Sequence, residues 1–524
     1  MNSKVRSLGI VTALIALSSL SCAERQNSWQ NLRGAAAITP AGQQIQLFGN
    51  DYLQVIDDAG KPIANASLLM GYEPGNPFNG NVIKTDANGR ANVPADWKAA
   101  LPLTVQAEGF VTTTIPVAQP GNMTIQLSSQ EGAQEIEVKG PTNGYGRLIQ
   151  DGKVDFGLVI PALSRDQLLN FDVSSMISPR ADQIEIIGNK INLPSNIALP
   201  KQNETYIFPI EFDKPDYRVY MRQPGQYKMT AIHGQFPLQR VVGDIRAGKS
   251  IFEVINHFNF MESGQKDVSL TENVSDLAMD VNQTRFEGST KIKAPAITGN
   301  QVMIAVNLAE QDGLMMPTDL KRLNANQSIN LKSTGQSGSI LSLLMEENPT
   351  NILNEAKEEM ISLFAPLFDL AALLPIGGPL TERPPLDFSR LSFAIAPSAG
   401  GAEPQFLSLL SKPELKDNTI KMQAPQILPG LTPIATYLVF SEVEVLGEGK
   451  AKSERRTRLW EVWSQAWLEQ VELPKIEFER KADRKYRWEV MFLARPTTFL
   501  GEPAISQRVD LKTITHITRN ALDI

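Results

Sequence analysis

The stretch Asp57-Asp58-Ala59-Gly60-Lys61-Pro62-Ile63-Ala64-Asn65-Ala66-Ser67-Leu68-Leu69-Met70 sets the reading of the fold. Asp58 to Pro62 gathers three kinds of turn residue: Asp, whose carboxylate folds back onto the backbone, Gly, which accepts positive φ, and Pro, which presets φ. Before this cluster, Tyr52 to Asp57 has strand composition. After it, Ala66, Leu68, Met70 and Tyr72 fall on alternate positions, the period of a half-buried strand. Working outward, Thr85-Asp86-Ala87-Asn88-Gly89-Arg90 is a second turn. Thr104 to Ala107, Val111 to Ile115 and Met123 to Leu127 continue as strands. Residues 44–129 are therefore expected to form a small all-β module.

The phrases DDAGKPIANASLLM, TDANGRANV and LTVQAEGFVTTTI resemble carboxypeptidase-regulatory-like (transthyretin-like) and bacterial Ig-like modules. That resemblance implies a β-sandwich serving as a spacer or binding unit on an exported protein. Asp86, Asn88 and Gly89 have a faint calcium-loop spacing, but the distal Glu of that motif is missing, so a hairpin turn is the reading adopted.

Length and composition bound the rest. A chain of 524 residues exceeds one ordinary core, and about three domains is the natural expectation. Apolar residues at 42% and charged residues at 20% describe a globular protein. Residues 136–345 are dominated by strand-like alternation, with Val302, Ile304, Val306 and Leu308 on one face. A helical patch is expected from Leu238 to Phe258. Residues 346–383 have helical spacing after Asn348-Pro349-Thr350 and read as a helical connector. Residues 384–524 read as a further β-sandwich, with strands over Pro433–Val445 and Arg458–Ser464. There Leu473-Pro474 and Tyr486-x-Trp488-x-Val490 resemble the E and F strands of a fibronectin type III domain, although the Leu-to-Tyr spacing is longer than in that family. Trp460, Trp463 and Trp467 are expected in the core, whether on strands or on a helical face. The fold class expected is mainly β and multidomain, with β-sandwich modules flanking a larger β-rich central domain and a few helices.

The N-terminus speaks to location. Lys4 and Arg6 precede an uncharged, mostly apolar run from Leu8 to Leu20, too short to span a ~30 Å hydrocarbon core as a helix and suited to an export signal. Ser19-Leu20-Ser21-Cys22 resembles the lipobox of bacterial lipoproteins, with Ser21 at −1 fitting that pattern and Leu20 and Ser19 departing from it. The resemblance implies a signal peptide over 1–21, a lipid on Cys22, a tether over 22–43, and attachment to a membrane or the cell surface. Cleavage after Ala23, giving a secreted protein, stays open. Cys22 is the only cysteine, so the rest of the chain has no disulfide, thiolate or cysteine-ligated metal. Loss of residues 1–21 removes Lys4 and Arg6 and no acid, taking the net charge from −7 to −9. A chain of that sign has no overall attraction for nucleic acid or anionic lipid.

Several strings carry possible chemistry. Gly243-Asp244-Ile245-Arg246-Ala247-Gly248-Lys249-Ser250 fits the P-loop pattern, in which Gly243 and Gly248 let backbone amides approach phosphates, Lys249 reaches them and Ser250 holds magnesium. The half-polar Pro237–Val242 before it lacks the character of a buried parallel strand. Ser263-Gly264-Gln265-Lys266 matches the S-x-x-K of penicillin-recognising enzymes, without that family's partner motifs. The three histidines, His233, His257 and His516, have no metal-ligand spacing and are read as structural or surface residues. No catalytic residue, metal or cofactor is expected. The expected role is binding, adhesion or structure at the cell surface, with a protein or glycan ligand. An extracellular hydrolase sited in 136–345 and a nucleotide-binding protein remain alternatives.

Overall fold

The computed structural model describes residues 52–346 and 389–524, leaving out internal stretches that include 73–81, 131–134, 165–180, 200–215, most of 238–254, 447–452 and 500–505. Residues 1–51, with Cys22, and 347–388, with most of the expected helical connector, lie outside the described residues. The described chain is mainly β. Of the helical patch, Arg240, Asp244 and Glu253 are described and helical, and Ile255–His257 forms a 3-10 turn.

In the N-terminal module, Tyr52–Ile56 lies between Arg90–Asn92 and Met123–Gln126, antiparallel to the first and parallel to the second. This small sheet closes over a second one formed by Ser67–Met70, Leu101–Gln106 and Thr112–Ala118. Leu53, Val55, Leu68, Leu103, Val105 and Ile125 meet between them and are buried. Both turn clusters work through their aspartates. Asp57 Oδ1 accepts from the amides of Ala59 and Lys61, each at 2.8 Å, and Asp86 Oδ1 accepts from Asn88 and Arg90 at 2.8 and 2.9 Å. Gly89 completes the second turn at φ +70°. The backbone hydrogen bond from Arg90, supported by that from Asn88, holds the Asp86 carboxyl below its usual range against the opposing effect of desolvation. The oxygen that a calcium loop would aim at a cation is bound to the hairpin's own backbone.

The alternation at Ala66, Leu68, Met70 and Tyr72 holds only in part, because Leu69 is also buried and Tyr72 is exposed. Leu69 lies in register with Thr104, and Thr104 with Thr114, on the face away from the module's core. The C-terminal region covers this face: Trp460 Nε1 donates to Thr114 Oγ1 at 2.8 Å. The contact follows from a parallel pairing of Trp460, Glu461 and Val462 with Thr112, Thr113 and Thr114.

That pairing makes the module's second sheet one end of a thirteen-stranded sheet. In spatial order it runs through Leu163–Ser164, Leu314–Leu323, Gln301–Gln311, Gly338–Glu346, Leu391–Pro397, His516–Asp523, Lys485–Pro496, Leu431–Leu446, Ser453–Ser464, Thr112–Ala118, Leu101–Gln106, Ser67–Met70 and Ile83–Lys84. Pairing thus crosses from residues 301–346 into 391–397 and from 453–464 into 112–118. Met345 lies opposite Leu391 in adjacent antiparallel strands, at one end of their ladder. Sheets above about ten strands normally curl or twist strongly, and this one serves several cores along its length. Ile292, Met303, Ala305, Leu323 and Ile340 form one. Phe440, Trp460, Tyr486, Trp488, Val490 and Phe492 form another. Val302, Ile304, Val306 and Leu308 do share a face, but Met303 and Ala305 on the other face are buried too. A central strand covered on both sides shows no polar alternation.

Trp460 and Trp463 sit three apart on one strand, so they point to opposite faces. Both are buried, Trp460 against Trp488 and Trp463 stacked on Tyr437 with centroids 3.9 Å apart. Trp467 donates its Nε1–H to the Leu493 carbonyl at 2.9 Å. A shared helical face is thereby replaced by two strand positions on opposite faces and a third position in the connection that follows.

Residues 136–285 build a further sandwich. Lys153–Pro161, Gly225–Pro237 and Asn259–Leu270 are the antiparallel centre of one sheet, and Ile136–Asn143 with Asp216–Met221 and Met279–Asp280 forms the other. Val138, Val159, Tyr217, Met229, Ala231 and Leu270 fill the space between. At Gly264 the sheets come so close that an added methyl would collide with the backbone carbonyl of Asp280. Gly264→Ala is accordingly expected to lower stability by about 1–3 kcal/mol through forced backbone displacement. An unchanged urea midpoint would contradict this close approach.

Candidate functional site

Polar side chains are buried in several clusters among the described residues, including Arg456 with Glu489 and Asn307 with Thr318; two others join acids and bases from distant segments. The larger lies where the N-terminal module meets the C-terminal strands. Glu461 is 1% exposed at the side chain and is the hub. Its position follows from the strand Ser453–Ser464, in which Glu461 and Trp463 face the module's inner side while Trp460 and Val462 face the C-terminal core. A register shift between Phe440 and Ser441 brings Arg458 within reach of the same carboxylate. Glu461 Oε1 accepts from Arg458 Nη1 at 2.8 Å, Tyr437 OH at 2.9 Å and Ser128 Oγ at 3.2 Å. Its Oε2 accepts from Arg508 Nη2 at 3.0 Å and Trp463 Nε1 at 3.3 Å.

Arg508 closes the cluster from the other side. Its Nη1 meets Asp58 Oδ1 at 3.0 Å, its Nη2 donates to Ser128 Oγ at 2.6 Å, and the guanidinium lies over the Trp463 ring. Next to it, the side chain of Gln507 acts as a short extra strand. Its Nε2 donates to the Gln126 carbonyl at 2.8 Å and its Oε1 accepts from the Gln126 amide at 2.9 Å. The free edge of Met123–Gln126 is thus occupied by residues some 380 positions away. Burial, then the neighbouring Glu461 charge, pushes the Tyr437 hydroxyl far above its ordinary titration range and keeps it a donor.

The second cluster surrounds His233, buried on the strand Gly225–Pro237. Its Nδ1 meets Glu262 Oε1 at 3.1 Å, and its Nε2 meets Asp155 Oδ1 at 3.3 Å. Glu262 stands directly opposite His233 in the ladder, beside a bulge, and Asp155 is diagonal to it on the other neighbouring strand. Tyr145 stacks on the imidazole with centroids 5.1 Å apart and planes 18° from parallel. Both ring nitrogens are engaged by carboxylates, so this imidazole offers no free nitrogen to activate a nucleophile. The arrangement links three neighbouring strands through one side chain.

Cys22, Gly243, Gly248, Lys249 and Ser250 are outside the described residues. The strand that precedes the P-loop-like string, Gly225–Pro237, runs antiparallel to both neighbours. Within the string, Asp244 Oδ2 is 2.5 Å from His257 Nε2. Ser263 and Lys266 share a strand but not a face: Ser263 Oγ donates to Met316 Sδ at 3.1 Å, and Lys266 Nζ donates to the Ala278 carbonyl at 3.2 Å. That separation removes the serine–lysine pair an S-x-x-K site requires. His516 is half-buried, and the desolvation lowers its pKa to about 4 and keeps it neutral, with Nδ1 beside Thr515 Oγ1. Sequence reasoning passed over Glu461, Arg508, Asp155 and Glu262. The one local signal was a charge between two tryptophans in an apolar strand, Trp460-Glu461-Val462-Trp463.

No family model matches the chain, and no curated protein matches it in sequence. Among solved structures it is similar to the TIE protein of Bacillus anthracis at 11% identity and a TM-score of 0.13, covering 58% of this chain and 46% of that one. It is also similar to BcpA, the major pilin subunit of Bacillus cereus, at 10% identity and a TM-score of 0.14, covering 57% of this chain and 87% of that one. At such scores neither protein's role transfers to this chain.

Proposed function

We propose that this chain is a bacterial cell-envelope lipoprotein, held by a lipid on Cys22, whose β body has a binding, adhesion or structural role at the surface. The observation that carries this reading is the junction around Glu461. Its carboxylate and guanidinium groups are spent on one another, and together they lock the N-terminal module to the neighbouring C-terminal strand Ser453–Ser464 of a continuous sheet. Such a junction suits a body that holds a shape or presents a surface, because densely hydrogen-bonded buried networks rigidify the elements they join. The N-terminal module would stand next to the membrane, after the short tether 22–43.

The test is the intact mass of the N-terminal peptide from protein made in its own cell. A peptide beginning at Cys22 and carrying a diacylglyceryl mass is expected. A start at Glu24 would make the protein secreted and overturn the lipid anchor. An unprocessed Met1 would overturn export altogether.

A further inference from the structure

We propose that His233 is a pH-responsive clamp: its charged imidazole ties Lys153–Pro161 and Asn259–Leu270 to the strand between them, and loss of its proton loosens that face of the sandwich. The geometry requires the charge. A neutral imidazole has one N–H and one lone pair. With Asp155 at Nε2 and Glu262 at Nδ1, a neutral ring must turn its lone pair toward one carboxylate. That removes a hydrogen bond and sets two acceptors against each other in a site where the His233 side chain is 7% exposed and Asp155 4%. The charged ring donates to both.

The surroundings hold the ring in this role. Gly157 lies opposite His233 in the ladder, and a methyl there would sit 2.6 Å from Thr142 Oγ1 and 2.8 Å from the Tyr145 hydroxyl. Its absence lets Tyr145 slide over the imidazole, with the hydroxyl bonded to Thr142 and to the Ala198 carbonyl at 3.3 Å. The other charged groups nearby do not replace the imidazolium. Arg285 approaches Glu262 Oε2 only at 3.8 Å, is 74% exposed, and also faces Glu287 at 3.8 Å. Lys266, farther along the Glu262 strand, is bonded to the Ala278 carbonyl, and Asp280 on the opposing sheet meets Asn143 Nδ2 at 3.5 Å. Tyr145 is kept neutral, since burial drives its hydroxyl above the usual range.

Burial alone would lower the His233 pKa, but the hydrogen bonds to Asp155 and Glu262 outweigh it and leave the pKa above 6.5. A group whose folded-state pKa is raised contributes stability that is fully present below the unfolded value and is lost as pH rises through the folded one. The clamp is therefore closed below pH 6.5 and opens as the pH rises through the raised His233 value.

The experiment uses the full chain labelled at histidine Cε1 and titrated from about pH 5 to about pH 9, across the ordinary histidine range. Three signals are expected, and His257→Gln together with the neutral His516 assigns the third to His233. The expected result is a His233 signal that is charged at pH 6.5 and titrates above that value. A signal already neutral at pH 6.5 overturns the proposal. Hydrogen exchange on the same wild-type protein, corrected for intrinsic rates, reads the mechanical consequence. Protection in Lys153–Pro161 and Gly225–Pro237 is expected to fall about tenfold for each unit by which the pKa is raised, with Leu431–Leu446 unaffected. Equal protection on both sides of the titration overturns the clamp even if the pKa is high. His233→Gln should abolish the pH dependence, and the two wild-type measurements decide the matter if that variant does not fold.

Discussion

Glu461→Ala is expected to destabilise the protein by about 3–5 kcal/mol, the range for removing one partner of a buried ion pair. The cost arises less from the lost attraction than from what stays behind. Arg458 loses its carboxylate at 2.8 Å, Arg508 keeps Asp58 and Ser128 but loses one of its two carboxylates, and the Tyr437 hydroxyl and Trp463 indole N–H lose their acceptor. The isosteric Glu461→Gln keeps the shape but not the charge and is expected to cost less, about 1–3 kcal/mol. Urea unfolding of both variants measures the difference. Hydrogen exchange should locate the loss in Thr112–Ala118 and Met123–Gln126, the strands that the junction ties down. A loss below about 1 kcal/mol, the range of a surface pair, would mean that solvent reaches this site.

Phe156→Ala is expected to cost a similar amount, about 3–5 kcal/mol, by a different mechanism. Phe156 is 2% exposed and sits edge-on to Phe258 and Phe260, with centroids 6.0 and 6.5 Å away. It fills the space over Gly234, where any side chain would meet its ring. Truncation leaves a cavity lined by aromatic rings that adjacent strands cannot close without losing their register. Phe156 and Glu461 lie in different cores and share no partner, so the double variant should equal the sum of the singles within about 0.5 kcal/mol. A coupling well beyond that would show that the two cores unfold as one cooperative unit.

Much of the fold was legible in local patterns because β structure is punctuated locally. Asp57 and Asp86 each turn the chain within four residues, using hydrogen bonds to their own neighbours. Tyr486, Trp488 and Val490 announce a strand, and all three are buried in one core. The tryptophans were legible as core residues but not as to face, since a spacing of three suits a helix and, on a strand, divides the side chains between two faces. Leu69, Met303 and Ala305 were illegible as buried residues, because Leu69 lies on the face covered by the C-terminal strands and Met303 and Ala305 pack on Ile292, Leu331 and Ile340, contacts beyond the reach of alternation within one strand.

The polar clusters lay further out of reach. Glu461 and Arg508 look like ordinary surface charges until residues 58, 128, 437, 461 and 508 are brought together. His233 has no acid within ligand spacing, and its two carboxylates lie 78 and 29 residues away. The sequence alone determined the mainly β class, the turns, the acidic net charge and the cysteine-free body, because each depends on composition or on neighbours within a few positions. Only the tertiary structure decided that strands from both ends of the chain join one sheet, and which buried charges pair there. Strand pairing and the desolvation of charge depend on which distant segments meet, and short-range patterns do not encode that choice.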